Sequence, residues 1–206
     1  MRSCYKDAPN ATAILMTGDK TMTTQKTWML WRDGTTVDEE ARLLRRPADD
    51  LPVPFDARAK KDIATLINAF IKRDDALGLA APQIGISKKI VIFKNKNFDI
   101  KGAPKSKDDY DVLVNPRITQ IRGDLEKLNE GCLSCPDINV EISRATEIKV
   151  RAYDQDGRKV NKRYTGFLAR IVQHELDHIE GRLIIDHEGT LSYPREKSEF
   201  FEKLFK

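Results

Sequence analysis

Along this chain the spacing of apolar residues switches between two periods. Ile63, Leu66, Ile67, Phe70 and Ile71 recur at three- and four-residue steps, which predicts an amphipathic helix over about 56–73 with its Lys and Arg residues on the solvated face. A second helical run covers 166–179, with Phe167, Leu168, Ile171, Val172, Leu176 and Ile179 as its apolar positions and Gly181 where a terminator belongs. Between the two runs the period shortens. Ile90, Val91, Ile92 and Phe93 form a continuous apolar stretch of the kind found in buried strands, and 112–116 and 117–122 also read as strands. The segment 147–153 alternates, and Asp156-Gly157 turns it back through 158–164 as a hairpin. The polar, lysine-rich stretch 94–111 is expected to be an exposed loop. Near the end, 194–205 predicts a short helix packed through Phe200, Phe201, Leu204 and Phe205.

Residues 1–40 differ in composition, being rich in Thr, Lys and Asp around one apolar island, Trp28-Met29-Leu30-Trp31. They are expected to form an N-terminal extension, partly strand or disordered, ahead of a single catalytic domain over 41–206. The mixture of helices and antiparallel strands places the chain in the α+β class. Charge narrows the partners. A net charge of +4 spread over 36 basic and 32 acidic residues is mild, and argues against a specific nucleic-acid binder, which would carry a concentrated basic stripe. No apolar run approaches the roughly 20 residues of a membrane span. Cys4, Tyr5, Lys6 and Asp7 interrupt any signal-peptide core, and three cysteines do not make a disulfide framework. A reducing cytoplasm is the expected setting.

The chemistry concentrates in Gln173-His174-Glu175-Leu176-Asp177-His178. On a helix His174 and His178 are one turn apart on one face, where two ring nitrogens can bind one metal ion, and Glu175 can reach a water on it. Asp177 points elsewhere, toward a supporting contact. Short matches of this kind also arise by chance on solvated helices. Here the flanking apolar residues argue for burial, and buried imidazoles need partners.

Two histidines leave a metal short of ligands, and Cys132 and Cys135 in Glu130-Gly131-Cys132-Leu133-Ser134-Cys135-Pro136 offer the rest. With both thiols the site is a closed structural zinc centre; with one it is Cys-His-His and keeps a position for water. The gap from Cys135 to His174 is roughly three times the dozen residues of a zinc finger. Glu175 has a task only beside an open site, which favours Cys132 as the ligand and leaves Cys135 as a small buried residue before Pro136. A metalloprotease, a general amidase and a structural zinc module are the competing readings. Upstream, Gly78-Leu79-Ala80-Ala81-Pro82-Gln83-Ile84-Gly85 is a small-residue loop that either packs tightly or lets a ligand approach the backbone, with Gln83 as its amide.

The three segments together resemble the peptide deformylase family, whose motifs are Gly-x-Gly-Leu-Ala-Ala-x-Gln, Glu-Gly-Cys-Leu-Ser and Gln-His-Glu-x-Asp-His. The likeness runs from about Leu43 to Asp186, and Ala76 departs from it where the pattern has its first Gly. It implies antiparallel sheets wrapped around the central motif-bearing helix, with an N-terminal helix and a short C-terminal one. It implies hydrolysis of the N-formyl group from the first methionine of new polypeptides, with Cys132, His174 and His178 as metal ligands and Glu175 as acid/base. It also implies that Gln83 and the Leu133 amide stabilise the oxyanion, and that Glu130 pairs with Arg144. Leu77, Gly78, Leu128, Gly131, Phe167 and Ile171 match substrate positions, with the aliphatic stem of Arg170 packing beside them. Fe²⁺ is the implied working ion, with Zn²⁺, Ni²⁺ or Co²⁺ also accommodated by such donors. The long basic tail that docks some members on the ribosome is missing, so ribosome contact is expected to be transient at most.

Overall fold

The computed structural model describes residues 26–98, 102–104 and 106–205. Of the expected extension, residues 1–25 lie outside the described residues. The remainder starts with a small hairpin, β1 (Trp31–Arg32) and β2 (Thr35–Thr36), turned at Asp33 and Gly34, both with positive φ. Helix α1 (Asp38–Leu44) follows, then α2 (Ala57–Phe70), whose first turn is capped by the Asp56 carboxylate accepting from the Ala59 amide.

One six-stranded antiparallel sheet organises the rest. β3 (Gly78–Ala80), β4 (Ile90–Lys94), β5 (Tyr110–Cys132), β6 (Cys135–Tyr153) and β7 (Lys159–Thr165) are adjacent in that order, and β8 (Gly189–Ser192) pairs with the first part of β6. Helix α3 (Gly166–Ile179) has the expected bounds, and the hairpin around Gly157 joins β6 to β7 as expected. The short C-terminal helix α4 spans Ser198–Leu204.

The unbroken apolar run of β4 has a direct cause. Ile90 and Ile92 face α2, while Val91 and Phe93 face α3, so the strand is buried on both sides. Each fully buried side chain of this kind contributes roughly 1.5–3 kcal/mol. Buried residues Ala169, Val172, Leu176 and Ile179 hold α3 against the sheet. Its end is set by Gly181 at φ +74°, where the Gly181 amide donates to the His178 carbonyl and the Arg182 amide to the Asp177 carbonyl. A Cβ at 181 would also lie 2.5 Å from the Arg45 carbonyl oxygen.

Two expectations about the sheet need correction. The strands read at 112–116 and 117–122 belong to one 23-residue strand, β5, which continues to Cys132 and returns as β6. Its middle, residues 117–129, is exposed, so no core period marks it. The stretch 94–111 is not wholly an exposed loop: Lys94 ends β4 in a buried position and its Nζ donates to the Gly102 carbonyl, while Tyr110 and Asp111 begin β5. Residues 99–101 and 105 of that stretch lie outside the described residues. No helix among the described residues is long and apolar enough to cross a membrane.

Candidate active site

The fold brings the three motifs to one cleft of about 1260 Å³. Cys132 arrives at the end of β5, just before the two-residue turn into β6; His174, Glu175 and His178 lie on α3; Gln83 sits in the 3₁₀ turn Ala81–Ile84 after β3. One donor atom from each of Cys132, His174 and His178 lies within 4.8 Å of the others. The Cys132 Sγ to His178 Nε2 distance is 3.3 Å. Cys135 is not part of this group; it is fully buried in an apolar cluster with Trp31, Leu44, Ile138 and Phe201.

Behind the histidines runs a buried ionic network. His174 Nδ1 donates to Glu130 Oε2 at 2.9 Å, which turns Nε2 toward Cys132. Arg144 grips the same carboxylate with two bonds, Nε to Oε1 at 2.6 Å and Nη2 to Oε2 at 2.8 Å. Arg144 Nη1 continues to Asp177 Oδ2 at 2.8 Å, where His187 Nε2 also approaches at 2.7 Å. The pairing of Glu130 with Arg144 is the one the resemblance implies.

Arg170 takes a different place from the one expected. Its guanidinium is buried, not merely its stem: Nη1 donates to Glu130 Oε1 at 2.7 Å and to the Ile142 carbonyl, and Nη2 to the Glu126 carbonyl. An arginine among apolar helix positions reads as a snorkelling side chain until its carboxylate partner on another element is known. Burial alone would raise Glu130, but the hydrogen bonds from His174 and Arg144 outweigh it and hold the carboxyl down to about 2.

Charge at the donors follows from the same contacts. A hydrogen bond with the Cys135 thiol outweighs burial and, with His178 and His174 alongside, holds Cys132 well below the ordinary thiol range. Cys135 is pushed up correspondingly. Burial disfavours a charged His174, yet its hydrogen bonds to Cys132 and Glu130 raise it above the usual histidine value. A metal ion takes the thiolate and the neutral imidazole forms of such donors, so binding an ion there releases protons.

Glu175 is 4% exposed, and its Oε2 has no hydrogen-bond partner among the described residues. Burial pushes it up to about 7 against the pull of His174 and His178. Gly78 lies directly against it: a Cβ there would come 2.2 Å from Glu175 Oε1. Gln83 is oriented at both ends of its amide. Oε1 accepts from the Ala80 amide at 2.9 Å, and Nε2 donates to Ser134 Oγ at 3.2 Å while lying 3.9 Å from Cys132 Sγ.

Leu77, Gly78, Gln83, Gly131, Cys132, Leu133, Phe167, Ile171, His174 and Glu175 all line the cleft. His178 stands behind Cys132, buried. Leu128 is not brought to the cleft; it lies on the exposed part of β5, 39% accessible. Ala76, the departure from the family pattern, lines the cleft and packs in the α2 core. Sequence reasoning missed part of the lining, Asp137, Asn139 and Ser192 to Glu196. Its signal is the pairing of β8 with β6 at Asn139, a long-range contact that no local period announces.

The sequence model of the polypeptide deformylase family matches residues 35–193. Peptide deformylase 1 of Rickettsia conorii is 34% identical over 158 residues, covering 76% of this chain and 86% of that protein. The crystal structure of a peptide deformylase from Synechococcus elongatus in complex with actinonin superposes with a TM-score of 0.66 at 29% identity, over 94% of this chain and 93% of that one. A Met-Ala-Ser-bound peptide deformylase from Acinetobacter baumannii gives 0.61 at 31% identity, over 71% and 92%. The chain belongs to the polypeptide deformylase family. Its reaction is the metal-dependent hydrolysis that removes the formyl group from the N terminus of newly made polypeptides.

Proposed function

We propose that Cys132 Sγ, His174 Nε2 and His178 Nε2 hold one divalent ion, with Fe²⁺ as the working ion and Zn²⁺, Ni²⁺ or Co²⁺ accepted by the same donors. The donor set fits: one thiolate and two imidazoles within 4.8 Å suit these ions, and three protein ligands leave a position for water or substrate. When bound, the ion supplies Lewis acidity toward water and the formyl oxygen. Glu175 takes the proton of the attacking water on its carboxylate and returns it to the leaving amine nitrogen. Gln83 Nε2, aimed by the bond that fixes its Oε1, and the Leu133 backbone N–H donate to the oxygen that gains charge as the formyl carbon is attacked.

Phe167, Ile171 and Leu77 form the apolar wall for the methionine side chain, and Gly78 and Gly131 let the peptide backbone approach. The substrates are nascent chains that begin with formyl-methionine, met in a reducing cytoplasm. The observation that carries this reading is the buried Glu175 Oε2, unpartnered among the described residues, beside the three-donor cluster. Glu175→Gln should retain the metal and lose formate release from formyl-Met-Ala-Ser. Near-full activity in that variant removes Glu175 from the role.

A further inference from the structure

The segment 27–31 touches both halves of the site from behind. The Trp28 amide donates to the Gln83 carbonyl at 2.8 Å, and the Leu30 amide to the Ser134 carbonyl at 2.9 Å. Trp31 Nε1 donates to the Pro136 carbonyl at 3.0 Å. One short strap therefore ties the turn that carries Gln83 to the turn that follows Cys132, and the two turns meet again in front through Gln83 Nε2 and Ser134 Oγ. The Trp28 ring covers Gly85, where a Cβ would fall 2.5 Å from its Cζ2.

The strap is itself held at both ends. Glu40, buried on α1, accepts from the Met29 amide at 2.8 Å and from Lys26 Nζ. Phe200, Phe201 and Phe205 of the C-terminal segment meet the Trp31 ring edge-on, with centroids 6.3, 5.4 and 6.2 Å away. Trp31 is 2% exposed, and its one polar side-chain atom is directed at the start of β6, just past the turn.

We propose that Trp31 is a positioning residue for the metal site, holding the start of β6, directly past the two-residue turn after Cys132, in register with the turn carrying Gln83 through its indole N–H on the Pro136 carbonyl. Cys132 stands at the tip of a hairpin whose connection to β6 is two residues long, so its Sγ moves with any tilt of that turn. The His174 and His178 donors, on a packed helix, do not move with it. A site of this kind tolerates displacements of about half an ångström before its geometry degrades. The inference rests on Cys132 being a ligand.

The test uses the full-length chain loaded with Co²⁺, following transfer of the ion to a chromogenic chelator alongside steady-state formate release. Trp31→Phe keeps a ring in the aromatic cluster and deletes the N–H. It should release metal about five- to tenfold faster and lower kcat by a similar factor, at the lower end of losses for supports behind a metal ligand. KM for formyl-Met-Ala-Ser should stay within about twofold of wild type, because the cleft walls are untouched. Phe200→Leu, which trims the same aromatic cluster without touching the Pro136 bond, should lower Tm and leave metal release near wild type. If Trp31→Phe does not fold, benzothienylalanine at position 31 keeps the bicyclic ring, carries sulfur in place of the N–H, and is read the same way. Wild-type release and kcat in the N–H-deleted protein overturn the proposal, as does equal acceleration by Phe200→Leu. Cys132→Ala separates this from the ligand assignment: if it binds Co²⁺ normally, the ligand reading fails first; if it loses the ion and the Trp31 variants behave as wild type, only the positioning role fails.

Discussion

Gly78 and Glu175 are in such close contact that no side chain fits between them: an added Cβ would sit 2.2 Å from Glu175 Oε1 and 2.6 Å from its Cδ. The strand that forms one wall of the cleft thereby fixes the carboxylate of α3. Glycine is required at this position by proximity, since its backbone φ lies outside the left-handed region. Gly78→Ala should therefore displace Glu175 rather than unfold the strand. We expect formate release to fall by about 10²-fold or more, within the range attributed to a misplaced general base, with metal content retained. Wild-type kcat with Ala at 78 would show that Glu175 has room to retreat without loss.

Glu130 joins Arg144, Arg170 and His174 in a buried network. Glu130→Gln leaves the buried Arg170 guanidinium without its counter-charge and Arg144 with Asp177 alone, so the loss exceeds that of a surface ion pair. Breaking one side of such a network typically costs about 3–5 kcal/mol. The variant also weakens the support behind a proposed ligand, for which losses of about 10–100-fold in metal affinity are usual. Chemical denaturation and a metal titration on the same preparation read both effects. A denaturation midpoint and an affinity equal to wild type would contradict the network's role.

Glu40 anchors the strap that backs the site. Burial would raise its pKa, but the hydrogen bonds from Lys26 and the Met29 amide, with Arg32 nearby, leave it lowered. A carboxylate lowered in the folded state adds stability at pH values above the ordinary glutamate value of about 4.3 and loses it as the pH falls through the folded value. Wild type should thus exceed Glu40→Gln in stability at neutral pH, and the difference should shrink only below about pH 4.5. A difference that stays constant down to pH 3 would mean that Glu40 is not held as the anion.

The legible and illegible parts of this molecule divide along physical lines. Helix α3 could be read to its exact bounds because its apolar period, the His174/His178 spacing and Gly181 all report on the helix itself. β4 was legible because burial on both faces leaves an unbroken apolar run from Ile90 to Phe93. The long β5–β6 hairpin was not, because residues 117–129 face solvent and are paired through a partner strand rather than through a core pattern. Arg170 misled for a related reason: its carboxylate partner lies on β5, and nothing local to the helix records it. Trp31 was visible as an apolar island, but its place beneath the turn after Cys132 depends on contacts from both ends of the chain. The three motif segments could be recognised one by one. Their convergence on one cleft, and the lining that β8 and the residues after it add, are properties of the sheet.

The central claim is that one thiolate and two imidazoles hold a single ion with a position left open. X-ray absorption on the Co²⁺- or Zn²⁺-loaded protein measures this directly. We predict one sulfur at about 2.3 Å, two imidazole nitrogens at about 2.0–2.1 Å and one further light-atom ligand. A second sulfur in the shell would place Cys135 on the metal, close the site and contradict the assignment of Glu175 as its catalytic base.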